Sequence, residues 1–200
     1  MLSIKINPTD LAAVKQTLNQ LSGDEADLAM VRGINKTMTG VRTDGTKILY
    51  DRYALTATVI RESFKIRKAY FRDPNGSVST KGTFIRLIKF GARAVSTGVS
   101  VKVLRTEPRK TVAHAFIAKL GLQDQVYRRA YKGPHKKPVA TRKYAAMPFE
   151  YRFPVHALYG PRIQDHLDDP VVIGTLQNMA GTRLTDSMRH EVEYLLSKAG

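Results

Sequence analysis

Apolar positions three and four residues apart dominate both ends of the chain, and a two-residue alternation dominates its middle. The first helical run is Leu11, Val14, Leu18 and Leu21. It is opened by Asn7, Pro8, Thr9 and Asp10, a polar cap with proline in the first turn, where its missing N–H costs nothing. Ser22 and Gly23 break it. Asp24, Glu25 and Asp27 then set acids against the positive end of a second helix. Its apolar face is Leu28, Val31, Ile34, Met38, Val41, Ile48 and Leu49, running on to about residue 54. Gly33, Gly40 and Gly45 inside it cost about 1 kcal/mol each against alanine, so they mark close packing or a kink. Thr56 is placed to cap a short third helix over 57–63. Helices with one apolar face need a sheet or another chain to cover them.

From Phe64 the period becomes two: Phe64 and Ile66 alternate with Lys65 and Arg67, a strand with a solvated basic face. Asp73, Pro74, Asn75 and Gly76 signal a turn. The polar residues that follow, to Gly82, read as a mobile hairpin tip, and 73–82 and 133–144 are expected to be protease-sensitive in the isolated protein. Further strands are expected over 84–90, 99–104, 112–119 and 125–131. Residues 91–98, rich in small side chains, join the first two of these as a hairpin shaped by Gly91 and Gly98. Residues 139–161 read as irregular. Pro161 or Pro170 opens a last helix with apolar positions Val172, Leu176, Met179, Leu184, Met188, Val192, Leu195 and Leu196. The class is α+β: N-terminal helices, a central antiparallel sheet with basic loops, and a C-terminal helix. We treat the chain as one domain, 1–200, with a helical part at 1–63, a sheet at 64–132, an irregular basic segment at 133–161 and a helical part at 162–200.

Charge changes this picture most. The net charge is +16, and residues 61–152 carry 22 basic against 5 acidic side chains while both flanks are nearly neutral. So one-sided a field opposes compaction unless an anionic partner or a wide surface relieves it. Nucleic acid ranks ahead of lipid, because no basic amphipathic helix is evident. Arg86, Lys89, Arg93, Lys102, Arg105, Arg109, Lys110, Arg128, Arg129, Lys132, Lys136, Lys137, Arg142 and Lys143 are expected to gather on one face or loop surface towards DNA or an acidic neighbour.

Catalytic chemistry is not visible. No cysteine is present, which excludes disulfides, thiolate metal sites and a cysteine nucleophile. No phosphate-binding glycine motif, zinc-helix motif or serine elbow occurs. Asp165, His166, Asp168 and Asp169 are the densest group of metal-ligand types, but aspartates before a helix read better as caps. His114, between alanines, reads as a core or interface histidine. No enzyme activity, cofactor or metal is expected. With no apolar leader and no run of eighteen apolar residues, the chain is expected to be soluble and made in the cytoplasm.

Several short motifs stand in a telling order: Leu87-Ile-Lys-Phe-Gly-Ala-Arg93, Thr97-Gly-Val-Ser-Val-Lys102, His114-Ala-Phe-Ile-Ala118, Val126-Tyr-Arg-Arg129, and Pro154-Val-His-Ala-Leu-Tyr-Gly-Pro161 with Ile163 behind it. Together, across roughly residues 25 to 175, they resemble the minor tail protein Z family of tailed bacteriophages, the tail completion or head–tail joining proteins. A long basic loop from Lys132 to Met147 departs from that pattern. The resemblance implies a structural virion protein at the head-proximal end of the tail, six copies forming a ring around the DNA channel. It implies contact with the tail terminator, the tail tube and the head–tail connector, with the tape measure protein as a further neighbour. Double-stranded DNA in the lumen would be met without regard to sequence. Location would be the virion tail or neck, and the host cytoplasm during assembly, with no membrane partner. The alternative is a non-catalytic DNA- or RNA-binding protein, a regulator or ribosome-associated chain. Its basic residues lie off any recognition helix, but Tyr127 and Tyr131 share a strand face on which bases could stack.

Overall fold

Thirty residues with acids in the first turn and Arg52 in the last form helix α1, Gly23–Arg52. The computed structural model describes residues 3–6, 23–80, 82–119, 122–129 and 155–199, and the first helical run expected from sequence lies outside them. One stripe of α1 is buried: Ala29, Gly33, Ile34, Thr37, Met38, Val41, Asp44, Gly45, Thr46 and Leu49. The two buried threonines satisfy themselves within the helix, Thr37 Oγ1 donating to Gly33 O at 2.8 Å and Thr46 Oγ1 to Arg42 O at 2.7 Å. Thr56 caps α2, Ala57–Ser63, by accepting from Val59 N–H, as its position in the sequence required.

Contacts divide the chain into two compact units, residues 1–51, 56–83 and 162–200 in one, and residues 52–55 and 84–161 in the other. The first unit is therefore assembled from separate stretches, and most of the basic middle falls in the second. In the first unit α1 runs antiparallel to α4, Pro170–Ala199. Gly33 lies against Met188, while Gly40 and Asp44 lie further along against Arg183. The glycines thus serve close packing: a methyl group on Gly33 would sit 2.6 Å from Met188 Sδ. From α4, Leu176, Ala180, Leu184, Met188, Val192 and Leu195 are buried, whereas Met179 and Leu196 remain exposed. Removing each large apolar side chain from water contributes about 1.5–3 kcal/mol. Pro170 opens α4, and the Asp169 carboxylate accepts from Val171 N–H at 3.0 Å. A short helix α3, Ile163–Leu167, precedes it, with Asp165 accepting from Arg162 N–H.

The other side of α1 rests on an antiparallel sheet of β1 (Ser3–Ile6), β3 (Gly76–Thr80) and β2 (Phe64–Arg67), in that order. Gly76 meets Met38 and Ile34, and Phe64 meets Gly45. β2 keeps its expected split, Phe64 buried and Lys65 and Arg67 exposed. The tip expected over 73–82 is corrected: Gly76–Thr80 is the central strand, flanked on both edges and alternately buried. Its serines and threonine lack apolar bulk, but a middle strand spends its backbone groups on two neighbours.

The second unit holds two more antiparallel three-stranded sheets, so the central sheet expected from sequence is divided. One orders β4 (Arg93–Val95), β5 (Gly98–Val101) and β6 (Lys110–Ala113). The other orders β7 (Ala115–Ala118), β8 (Gln125–Arg129) and β9 (Val155–Ala157). The strand expected at 84–90 is instead a 3-10 turn, Leu87–Phe90, closed by Gly91 at φ 61°. Its apolar Leu87 and Phe90 are three apart and both buried, a helical spacing. The strand expected over 112–119 is split between two sheets by His114, whose φ of 59° breaks the extended path; His114 is exposed, not a core residue. The hairpin expected to join 84–90 to 99–104 through 91–98 is corrected: the hairpin present joins β4, itself inside 91–98, to β5 through a two-residue turn at Ser96 and Thr97. β9 supplies order within 139–161 that the prolines concealed. The core here is Tyr53, Leu55, Leu87, Phe90, Val99, Val101, Ala115 and Val126.

Candidate functional surfaces

The basic residues picked out by the sequence fall into distinct settings. Arg93 pairs across β4 and β5 with Ser100, and Arg109 Nε donates to the same Ser100 Oγ at 3.1 Å. Arg93 and Arg109 are thus both neighbours of Ser100, and both are exposed. Arg109 also donates to Gly91 O and Ser100 O, and Arg105 donates to Tyr53 O at 3.0 Å and Leu55 O at 3.4 Å. These two arginines tie loops together with their donors. Lys110 is paired with Glu107 at 2.6 Å. Lys89, Arg93 and Arg128 are exposed and Lys102 is half-buried, and none has an intramolecular ion-pair partner among the described residues. Arg128 stands beside His156 across β8 and β9. For Arg129 only the backbone is described, and Lys132, Lys136, Lys137, Arg142, Lys143 and Tyr131 lie outside the described residues.

Arg86 edges a shallow depression of about 330 Å³ on the β8–β9 side of the second unit, with Gln123, Gln125, Tyr127 and Tyr159 around it. Its guanidinium donates to Gln123 Oε1 at 3.1 Å. Tyr127 is half-buried and stacks on Phe116 with centroids 6.1 Å apart, so one face of its ring is already engaged within the protein. Asp165 and Asp169 work as helix caps, and no group of three or more potential metal ligands comes together among the described residues. Nor is any described helix long and apolar enough to cross a membrane.

Two features went unread in the sequence. Asp44, 2% exposed, receives both Nε (2.5 Å) and Nη2 (2.8 Å) of Arg183 from 139 residues away, and these bonds raise the arginine's pKa above its ordinary value. The second is the end of the β2–β3 hairpin, where Tyr70 and Asp73 exchange backbone hydrogen bonds of 2.9 and 3.0 Å around Phe71 and Arg72. Asp73 accepts from the Asn75 side chain at 2.9 Å and pairs with Arg67 at 2.7 Å. The Asn75 hydrogen bond chiefly, with Arg67 assisting, holds this carboxyl below the usual 3.8. A depressed folded-state pKa contributes stability above the unfolded value, which is lost as pH falls through the folded one. The tip is therefore expected to keep its lock at pH 4 and release it only in stronger acid. A carboxyl NMR titration of Asp73 with a midpoint at or above 3.8 would contradict this.

No family model matches the chain, and neither a curated protein nor a solved structure matches it.

Proposed function

We propose that this chain is a structural, non-catalytic virion protein of a tailed bacteriophage, completing the tail at its head-proximal end as part of a ring around the DNA channel. The observation that carries the reading is the exposed charge of the second unit, Lys89, Arg93 and Arg128, which have no ion-pair partner among the described residues. Such a surface suits phosphates, which duplex DNA presents at about one per 1.7 Å of axis, and it asks for no reading of bases. The ordered motifs that resemble the minor tail protein Z family supply the place in the particle. Six copies would meet the terminator, the tail tube and the connector, with the tape measure protein as a further neighbour. A stacking platform for single-stranded RNA is the weaker reading, because Phe116 already engages one face of Tyr127.

Duplex binding is expected to be indifferent to sequence and to fall on the order of 10³-fold or more between 50 and 200 mM salt. Fluorescence anisotropy with unrelated duplexes measures both properties, and a salt-insensitive preference for one sequence would overturn the DNA-facing reading. Deleting the gene tests the place. The reading expects particles with failed head–tail joining or failed DNA delivery; fully infectious particles, with the protein absent from wild-type virions, would reject it.

A further inference from the structure

The β2–β3 hairpin ends in an unusually well-fixed tip. Its ladder runs from Phe64 opposite Thr80 to Arg67 opposite Ser77, and the strands meet again at Tyr70 and Asp73. Between those points residues 74–76 face residues 68–69, an extra residue that bends the tip as a bulge does. Asn35 of α1 then reads the backbone of Ala69 in both directions, donating to its oxygen and accepting from its N–H at 3.0 Å each. On this braced turn Tyr70 is 66% exposed and Phe71 51% exposed. Lys65, Lys68 and Arg72 surround them, also exposed. Aromatic rings and arginine on a rigid support, where little ordering entropy remains to be lost, are the makings of an interface anchor.

The same unit carries a complement at its other end. The hairpin tip is level with Asn35 of α1, whereas its base, at Phe64, lies against Gly45, ten residues and about 15 Å further along that helix. Just past the base, Gly82 lies against Gln164 of α3. From there the chain enters the junction of α3 and α4, where Asp165, Asp168 and Asp169 are exposed beside Val171, itself 76% exposed. A basic, aromatic end and an acidic end with an exposed valine thus stand apart on one unit.

We infer that the hairpin tip of one copy docks on the α3–α4 junction of the next copy of this chain. The contact rests on the ring reading above and supplies its interface. Head-to-tail contacts between unlike surfaces close into rings when the rotation between copies permits. Charge complementarity selects this occupant: Arg72 and Lys68 meet Asp168 and Asp169, Asp165 being already paired with Arg162 of its own copy at 3.4 Å, and Phe71 covers Val171. Duplex DNA would match the charge but offers the rings no apolar seat without unstacking its bases.

Sedimentation velocity of the full chain tests this with Arg72→Glu, Asp168→Lys and Phe71→Ser, each checked for native circular dichroism. Wild type is expected to assemble, and each variant to need at least tenfold more protein to do so. An equimolar mixture of Arg72→Glu and Asp168→Lys should regain assembly, because every contact between unlike copies again joins opposite charges. A monomeric wild type, an assembly indifferent to all three changes, or a mixture no better than its components would overturn the contact. So would variants that assemble normally but lose binding to duplex DNA or to anionic vesicles, which would assign the tip to those partners. The two readings fail separately: assembly by this contact in a protein absent from virions removes only the tail function, and virion residence without this contact removes only the interface.

Discussion

Replacing Arg183 by methionine is expected to lower the stability of the first unit by roughly 3 kcal/mol, the low end for leaving a buried charge without its partner. The asymmetry of the pair decides which side matters. Asp44 is 2% exposed on the inner stripe of α1, while the Arg183 side chain is 44% exposed. Without Arg183 the carboxylate keeps its burial and loses its two bonds. Without Asp44 the guanidinium turns to water, so Asp44→Asn is expected to cost only about 1–2 kcal/mol. Combining Arg183→Met with Asp44→Leu should recover most of the loss, since an apolar pair can replace a buried ionic one. Urea unfolding of the three variants measures this. Equal losses for the two single substitutions would show that burial of Asp44 is not what sets the cost.

The second large effect is expected at Gly98→Ala, again roughly 3 kcal/mol, combining overpacking with backbone strain. Gly98 has φ 154°, and a methyl group there would stand 2.1 Å from the carbonyl oxygen of Val112. That oxygen belongs to the neighbouring strand β6, so relief requires the strands to part, not a side chain to turn. Gly91→Ala should cost about 1 kcal/mol, for its φ of 61° is strained for alanine but nothing lies within 4 Å. Thermal unfolding should therefore separate the two glycines, and similar losses would refute the assignment of Gly98 to close approach.

Why one element was legible in the sequence and another was not follows from where its information lay. α2 was readable because Thr56 caps it locally, and α4 because a four-residue apolar spacing marks it, though the sequence left Pro161 and Pro170 both open as its start. β3 was not, because Gly76 and Thr80 owe their burial to flanking strands and to α1, none of which their own pattern records. Turn chemistry at Pro74 to Gly76 pointed to a tip a few residues too late: Phe71 and Arg72 carry no turn signal, and the contacts that hold them come from Asn35 and Arg67. The basic residues were visible as charge, but the difference between Arg105, which braces Tyr53 and Leu55, and Lys89, which has no ion-pair partner among the described residues, depends on folded neighbours.

The pairing of Asp44 with Arg183 across 139 residues also bears on how the chain is made. During synthesis α1 emerges on the order of ten seconds before the segment that covers its stripe, at the usual pace of about 5–20 residues per second. Residues 84–161, which complete the second unit, emerge in that interval, so this unit can fold while the first waits with Gly33, Thr37 and Asp44 uncovered on the side where α4 will pack. The nascent chain is thus exposed to misassociation along this stripe until α4 emerges, and α4 acts as the closing latch of α1.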